Sequence, residues 1–214
     1  IRVRVEALHD GLVDDPQEVQ RYLAAMRSDV MALNGLLDDL FELAQLDAGG
    51  PTPERTPQAP ADLVADVVER FRPLAEQRGI ALHGAAETDV AVAAQAGKIE
   101  RVLGNLVANA LRHTPPGGHV AVTARAAADG VRFCVEDSGP GFSAADLAYA
   151  FEQFYRGEAA RSRATGGAGL GLAIARGIVQ AHGGRVWAEN RAEGGARVSF
   201  VLPPATSGAP LTGN

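Results

Sequence analysis

Two asparagines four residues apart, Asn105 and Asn109, sit among Leu103, Leu106, Val107 and Leu111. At helical spacing they share one face, with Cβ atoms roughly 5–6 Å apart. Asn is a mediocre helix former. The pair therefore reads as a polar spot on an otherwise buried helix, and its oxygens are hard ligands suited to Mg²⁺. Asp137-Ser-Gly-Pro-Gly141 follows directly on an apolar stretch. A carboxylate at a strand end can accept a hydrogen bond from an exocyclic amine, while Gly139 and Gly141 let backbone approach a flat ring. Thr165-Gly-Gly-Ala-Gly-Leu-Gly-Leu172 opens a helical pattern. Small residues there expose backbone N–H groups at a helix N-terminus, a phosphate site. The run is neither a Walker A loop, since no Lys-Ser/Thr follows, nor a Gly-x-Gly-x-x-Gly fingerprint, since Gly167, Gly169 and Gly171 are evenly spaced. Arg156, Arg161 and Arg163 lie between the second and third motifs, where mobile guanidiniums can clamp phosphoryl oxygens. Taken singly, each feature is equally an ordinary one: two surface asparagines, a plain turn, a loose glycine run, scattered surface arginines.

The elements that must position these residues follow from periodicity. Residues 1–12 form a first short helical stretch. Asp14 and Asp15 then supply an N-cap before Pro16. From there Val19, Tyr22, Met26, Val30, Leu33, Leu37, Leu40 and Ala44 recur at three- and four-residue steps, the seam of a long helix ending at Gly49-Gly50. Two such helices cannot bury that stripe alone, so the hairpin of residues 1–50 is expected to homodimerise as a four-helix bundle. Pro51, Pro53, Pro57 and Pro60 mark a linker over residues 51–60. Beyond it, helices are expected over 62–78, 98–113 and 170–182. Strands are expected over 80–83, 90–94, 120–125, 131–136, 185–189 and 197–202. Residues 61–203 thus form one domain, with a disordered tail over 204–214. The fold class is α+β: a two-layer α/β sandwich of a mixed, mostly antiparallel sheet with helices on one face, preceded by an antiparallel helical hairpin.

Composition narrows the function classes. The chain has 214 residues, 46% hydrophobic and 21% charged, an ordinary globular balance with a net charge of −6. That charge argues against a nucleic-acid partner. Residues 1–50 carry ten Asp/Glu against four Lys/Arg, so the excess negative charge is in the hairpin. The lone Cys134 excludes a disulfide framework, and no apolar run approaches the ~20 residues of a membrane span.

The order and spacing of the motifs are more specific than any one of them. Asn-x₃-Asn, Asp-x-Gly-x-Gly, Phe151-Glu-Gln-Phe154-Tyr155, Gly-x-Gly-Leu-Gly-Leu and Gly194-Gly195 together closely resemble the catalytic ATP-binding domain of sensor histidine kinases, over about residues 60–203. Leu40-Phe-Glu-Leu-Ala-Gln-Leu-Asp-Ala-Gly49 resembles the second helix of that family's dimerisation and phosphotransfer hairpin. The resemblance implies a Bergerat-type fold, ATP and Mg²⁺ as cofactors, and a response regulator receiver domain as partner. It implies that Asp137, with Gly139 and Gly141, binds the adenine amino group. Asn109 would hold Mg²⁺, with Asn105 beside it or near the phosphates. Arg112 would face phosphate and His113 would pack by the nucleotide. Gly167, Ala168, Gly169, Leu170, Gly171 and Leu172 would fold over the triphosphate as a lid anchored by Phe151, Phe154 and Tyr155. Arg161 and Arg163 would act on the phosphoryl group.

Hydrolysing relatives of this fold typically carry Glu at the position of Asn105, as a general base. Asn accepts no proton at neutral pH, so the site is expected to present the γ-phosphoryl to a protein nucleophile. Glu100, a turn back, is a poor substitute. The family's acceptor box, His-Glu/Asp-x-x-Thr-Pro, does not occur here. His9-Asp10 lacks the Thr-Pro, His83 and His119 are strand-edge positions, and His182 caps a helix. The acceptor is therefore expected before residue 1, in a fragment of an inner-membrane sensor whose cytoplasmic portion this is. Membrane contact would come only through segments absent here. Ala196 stands where many relatives carry Ser or Thr. A Ser/Thr kinase of the anti-sigma type is disfavoured by the hairpin and by Asn105. A degenerate nucleotide-binding regulatory module is disfavoured by the intact boxes.

Overall fold

Pro16 begins the longest helix because the Asp15 carboxylate accepts the Gln17 N–H at 3.0 Å, satisfying one of the end donors that a helix leaves free. A computed structural model describes residues 2–12, 14–48, 54–157 and 168–205. It divides into two compact units, Ile1–Gln45 and Leu46–Asn214.

The first unit holds α1 (Arg2–His9) and most of α2 (Pro16–Asp47). At 32 residues α2 is about 48 Å long at 1.5 Å per residue. The apolar seam read from the sequence faces outward: Val30, Leu33, Leu37 and Leu40 are about half exposed, and Phe41 is 68% exposed. Among the described residues, no helix is long and apolar enough to cross a membrane.

The second unit runs β1 (Thr56–Gln58), α3 (Pro60–Gln77), β2 (Ala81–Ala86), β3 (Val92–Ala94), α4 (Ala96–His113), β4 (His119–Ala127), β5 (Gly130–Asp137), α5 (Ala144–Tyr149), α6 (Gly171–Ala181), β6 (Arg185–Asn190) and β7 (Ala196–Leu202). The main sheet has the order β2-β4-β5-β7-β6, with β2 parallel to β4 and the other pairs antiparallel. This is the expected mixed, mostly antiparallel sheet, with α3, α4 and α6 on one face. Strand parity makes the core: Val131, Phe133 and Val135 of β5 stand opposite Leu202, Phe200 and Val198 of β7. Phe133 and Phe200, both 0% exposed, stack with centroids 4.9 Å apart. The helices answer with Leu63, Val64 and Val67 of α3, Ile99, Leu103, Leu106 and Val107 of α4, and Ile174 and Ile178 of α6. Asp137 continues the inward parity of β5, so the sheet delivers its carboxylate to the helical side.

Locally the structure departs from the pattern expected of the sequence. The expected strand over 90–94 is shorter and does not join the main sheet: β3 pairs with β1. That strand lies in the Pro-rich linker, where Thr56 and Gln58 flank Pro57 and form a ladder despite it. The tail is ordered at its start, since Pro204 bridges Val92 and the Ala205 N–H donates to the Ala91 carbonyl. The glycine-rich stretch after Asp137 also contains α5, capped by Ser143, whose Oγ accepts the Asp146 N–H.

Candidate functional site

Asp137 ends β5 and is 6% exposed. Its Oδ1 accepts two backbone donors, the Gly139 N–H at 2.8 Å and the Ala196 N–H at 3.2 Å. One carboxylate oxygen is thereby held by the protein. This sets the orientation of the other, which is also a hydrogen-bond acceptor. Close approach explains the glycines here. A Cβ at Gly139 would lie 2.8 Å from the His113 carbonyl, and one at Gly195 would collide with the Asp137 carbonyl. The loop therefore packs on the C-terminal end of α4 and on the β6–β7 hairpin. Ser138 pairs with His119 through both groups: its N–H donates to the His119 carbonyl and its Oγ accepts the His119 N–H.

On α4, Asn105 and Asn109 are half-buried, one turn apart, while their neighbours Leu106, Val107 and Ala110 are buried. Asn105 Nδ2 donates to the Gly171 carbonyl at 3.0 Å, and a Cβ at Gly171 would touch the Asn105 side chain at 3.5 Å. Asn105 thus ties α4 to the first turn of α6. Its nitrogen serves that tie, and its oxygen is the atom suited to a cation. Leu170 at the start of α6 makes no side-chain cap, and its own side chain is buried. Any part that Leu170 takes in ligand binding must come through its backbone.

The C-terminal end of α4 is crowded with positive charge. Partial burial pushes the Arg112 guanidinium below its ordinary pKa, and the nearby guanidiniums of Arg78 and Arg156 lower it further. Arg78 also donates to the Leu111 carbonyl at 2.9 Å. Three guanidiniums gathered on one spot fit a polyanion better than they fit each other. His113 is adjacent and exposed. Among the described residues, no group of three or more His, Cys, Asp or Glu is placed to hold a metal ion.

The two described ends of the Gly-rich stretch meet. A Cβ at Gly169 would lie 2.6 Å from the Tyr155 carbonyl, and Gly169 has φ +76°. Tyr155 Oη donates to Asp146 Oδ1 at 3.0 Å, and its ring packs on Tyr149 at 5.5 Å. Tyr155 is thus fixed to α5, whereas Phe154 is 60% exposed with φ 61°. Ala168 and Leu172 are half-exposed on either side of Gly169 and Gly171. Arg161, Arg163 and Gly167 lie outside the described residues.

Several residues around the site carried no sequence signal. Arg78 is the C-cap residue of α3. Asn190 ends β6 and Arg191 follows it, ahead of Gly194-Gly195. His182 is 1% exposed. Its Nδ1 pairs with the Ile178 carbonyl at 2.8 Å and its Nε2 accepts the Gln95 N–H at 3.3 Å. That arrangement needs the neutral ring with the proton on Nδ1. Burial lowers its pKa, with Arg55 and Lys98 adding to the effect against the Ile178 bond. Arg55 from the linker donates to the carbonyls of Ala181 and His182. His182 therefore joins α6, the N-terminus of α4 and the linker.

A carboxylate at a strand end, a polar asparagine pair on the facing helix, and a glycine-rich turn into a third helix define a nucleotide-binding α/β sandwich. The chain belongs to the histidine kinase-, DNA gyrase B- and HSP90-like ATPase family, whose profile matches residues 94–206, and it carries that family's ATP-binding domain. It is 40% identical over 222 residues to the sensor protein SphS of Synechococcus elongatus, covering 98% of this chain and 52% of SphS. It is 30% identical to the nucleotide-free catalytic domain of histidine kinase ThkA, covering 71% of this chain and 96% of that one, with a TM-score of 0.63. It is 34% identical to full-length ShkA in complex with AMPPNP, with a TM-score of 0.75 over 91% of this chain and 40% of that one. The chain spans between a third and about half the length of the curated relatives it matches first, from 34% to 52%.

Proposed function

We propose that this chain is the kinase portion of a sensor histidine kinase: it binds ATP with Mg²⁺ and directs the γ-phosphoryl to a histidine, from which it passes to an aspartate of a response regulator receiver domain. The observation that carries this reading is the pairing of a backbone-clamped Asp137 with Asn105, not a carboxylate, on the facing helix. Asp137 would select the adenine amine. Asn109, with the oxygen of Asn105 near it, would hold Mg²⁺ together with phosphate oxygens, which fits the absence of an acidic ligand cluster among the described residues. The cation would screen phosphoryl charge. Arg112, Arg78 and Arg156 would bind and orient the phosphates. Nothing at the Asn105 position can take a proton from water at neutral pH, so hydrolysis would be slow and transfer to a positioned nucleophile favoured.

The exposed apolar seam of α2 supports a homodimer through residues 1–50, in which the seams of two copies would cover each other. SphS and ThkA are named as a sensor protein and a histidine kinase, and the same role is assigned here to a chain holding the corresponding boxes. The test is a comparison of binding with turnover. Calorimetry should show Mg²⁺-dependent ATP binding, while release of inorganic phosphate stays slow. Rapid hydrolysis with a protein-independent product would contradict the assignment of Asn105.

A further inference from the structure

The β6–β7 hairpin holds the loop from Asp137 to Phe142 at both ends. At the far end the Asn190 carboxamide grips one residue twice. Its Oδ1 accepts the Phe142 N–H and its Nδ2 donates to the Phe142 carbonyl, each at 2.8 Å. Gly141 makes room for that grip, since a Cβ there would lie 2.7 Å from Asn190 Oδ1, and its φ of +76° suits glycine. At the near end Arg191, with its side chain only 14% exposed, donates to the Asp137 carbonyl at 3.0 Å. Its Nε stands 3.5 Å from Glu136 Oε2. Burial alone would raise the Glu136 pKa, but Arg197 at 2.7 Å and then Arg191 outweigh it and hold the carboxyl below its ordinary range. The Ala196 N–H, from the same hairpin, completes the set on Asp137 Oδ1. Every one of these contacts fixes backbone or carboxylate orientation, and none uses the second oxygen of Asp137.

We propose that Asn190 is a positioning residue for nucleotide-base recognition: with Arg191 it splints the loop 137–142, so that the Asp137 carboxylate is pre-aimed at the base. The inference rests on the reading of Asp137 as the base contact. A pre-aimed acceptor spares the ordering cost at binding, so the splint sets nucleotide affinity. Asn190 is exposed, and its replacement leaves the core intact.

The experiment is calorimetric titration of the chain with Mg²⁺-ATP in a double-mutant cycle of Asn190→Ala and Asp137→Asn, with thermal melts confirming folding. Losing two hydrogen bonds, each of ordinary net strength, should weaken ATP binding about tenfold in Asn190→Ala. In the Asp137→Asn background the same change should have much less effect, because there is no longer a base contact to aim. Asn190→Asp supplies a readout that general loosening would not give. Its carboxylate can still accept the Phe142 N–H but faces the Phe142 carbonyl with no proton. Relative to wild type at each pH, its affinity should recover as the pH falls and the carboxyl gains a proton to donate. Unchanged affinity in Asn190→Ala beside a weakened Asp137→Asn would overturn the splint and leave the Asp137 reading standing. Full additivity of the two changes, or a pH-independent Asn190→Asp, would also overturn it. An Asp137→Asn variant with undiminished affinity would remove the reading itself, and the splint with it.

Discussion

Asp137→Asn separates the two jobs of one carboxylate. Oδ1 accepts the Gly139 and Ala196 N–H groups, and the amide oxygen of Asn can take over both bonds. The variant should therefore stay folded, losing no more than about 1 kcal/mol as a charged acceptor becomes neutral. Asp137→Ala, by contrast, strands two donors and should cost about 2–4 kcal/mol. At the ligand-facing position Asn puts an NH₂ where the carboxylate oxygen stood. The lost charge-assisted bond is worth about 2 kcal/mol, and two donors set face to face add about 1 more. About 3 kcal/mol corresponds to roughly a hundredfold rise in the Kd for ATP. A 6-oxo purine nucleotide presents an acceptor there, so discrimination against it should shrink by at least as much. The assay is calorimetry with both nucleotides on the wild type and the variant, with a melt of each. ATP affinity within threefold of wild type, on a folded variant, would refute the argument (roughly 0.6 kcal/mol at most). Equal losses for both purines would refute the role of the exocyclic amine.

Other expectations follow from the same geometry. Asn109→Ala should lose the Mg²⁺-dependent part of ATP binding while keeping its fold, measured by titration with and without the cation; an unchanged Mg²⁺ effect would remove Asn109 from the metal site. Phe200→Ala should destabilise the domain by about 3–5 kcal/mol in denaturant unfolding, because a fully buried ring stacked on Phe133 leaves a cavity; a loss under 1 kcal/mol would contradict the core assignment. His182 has a folded pKa below its ordinary value of about 6.5. Folding therefore favours the neutral ring, so its contribution is complete above about pH 6.5 and is lost as the pH falls through that value toward the folded pKa. His182→Gln should flatten that acid limb in denaturation profiles, and identical slopes would contradict it. A chain beginning at Pro60 should sediment as a monomer where the full chain is a dimer; a dimeric truncation would place the dimer contact elsewhere.

Much of the fold was readable because its signals are local. The apolar faces of α4 and α6 repeat at helical spacing, and Val131, Phe133 and Val135 of β5 recur at every second position toward the core. A helix start moved by two residues: α3 starts at Pro60, not Asp62, since proline is well suited to the first turn. Asp137, Asn105 and Gly171 stand out in the sequence because residue type and spacing both suggest chemistry, and the structure ties Asn105 to Gly171. What could not be read depends on contacts between distant segments. β1 sits in a run that local rules call a linker, and only its pairing with β3 makes it a strand. Arg55 finds the end of α6, more than a hundred residues on. Asn190 gains its meaning only when Phe142 is brought beside it. His182 read as a helix cap, and its burial and bond to Gln95 come from the meeting of α6 with α4.

The central claim is phosphoryl transfer to a histidine, and the most direct measurement is label transfer from γ-labelled ATP. The chain is incubated with Mg²⁺, alone and with a helical hairpin carrying the His-Glu-x-x-Thr-Pro box. The account predicts label on the added hairpin only, lost in acid and kept in base as phosphohistidine is, and abolished by Asn109→Ala. Nucleotide binding with no label on the hairpin would contradict it.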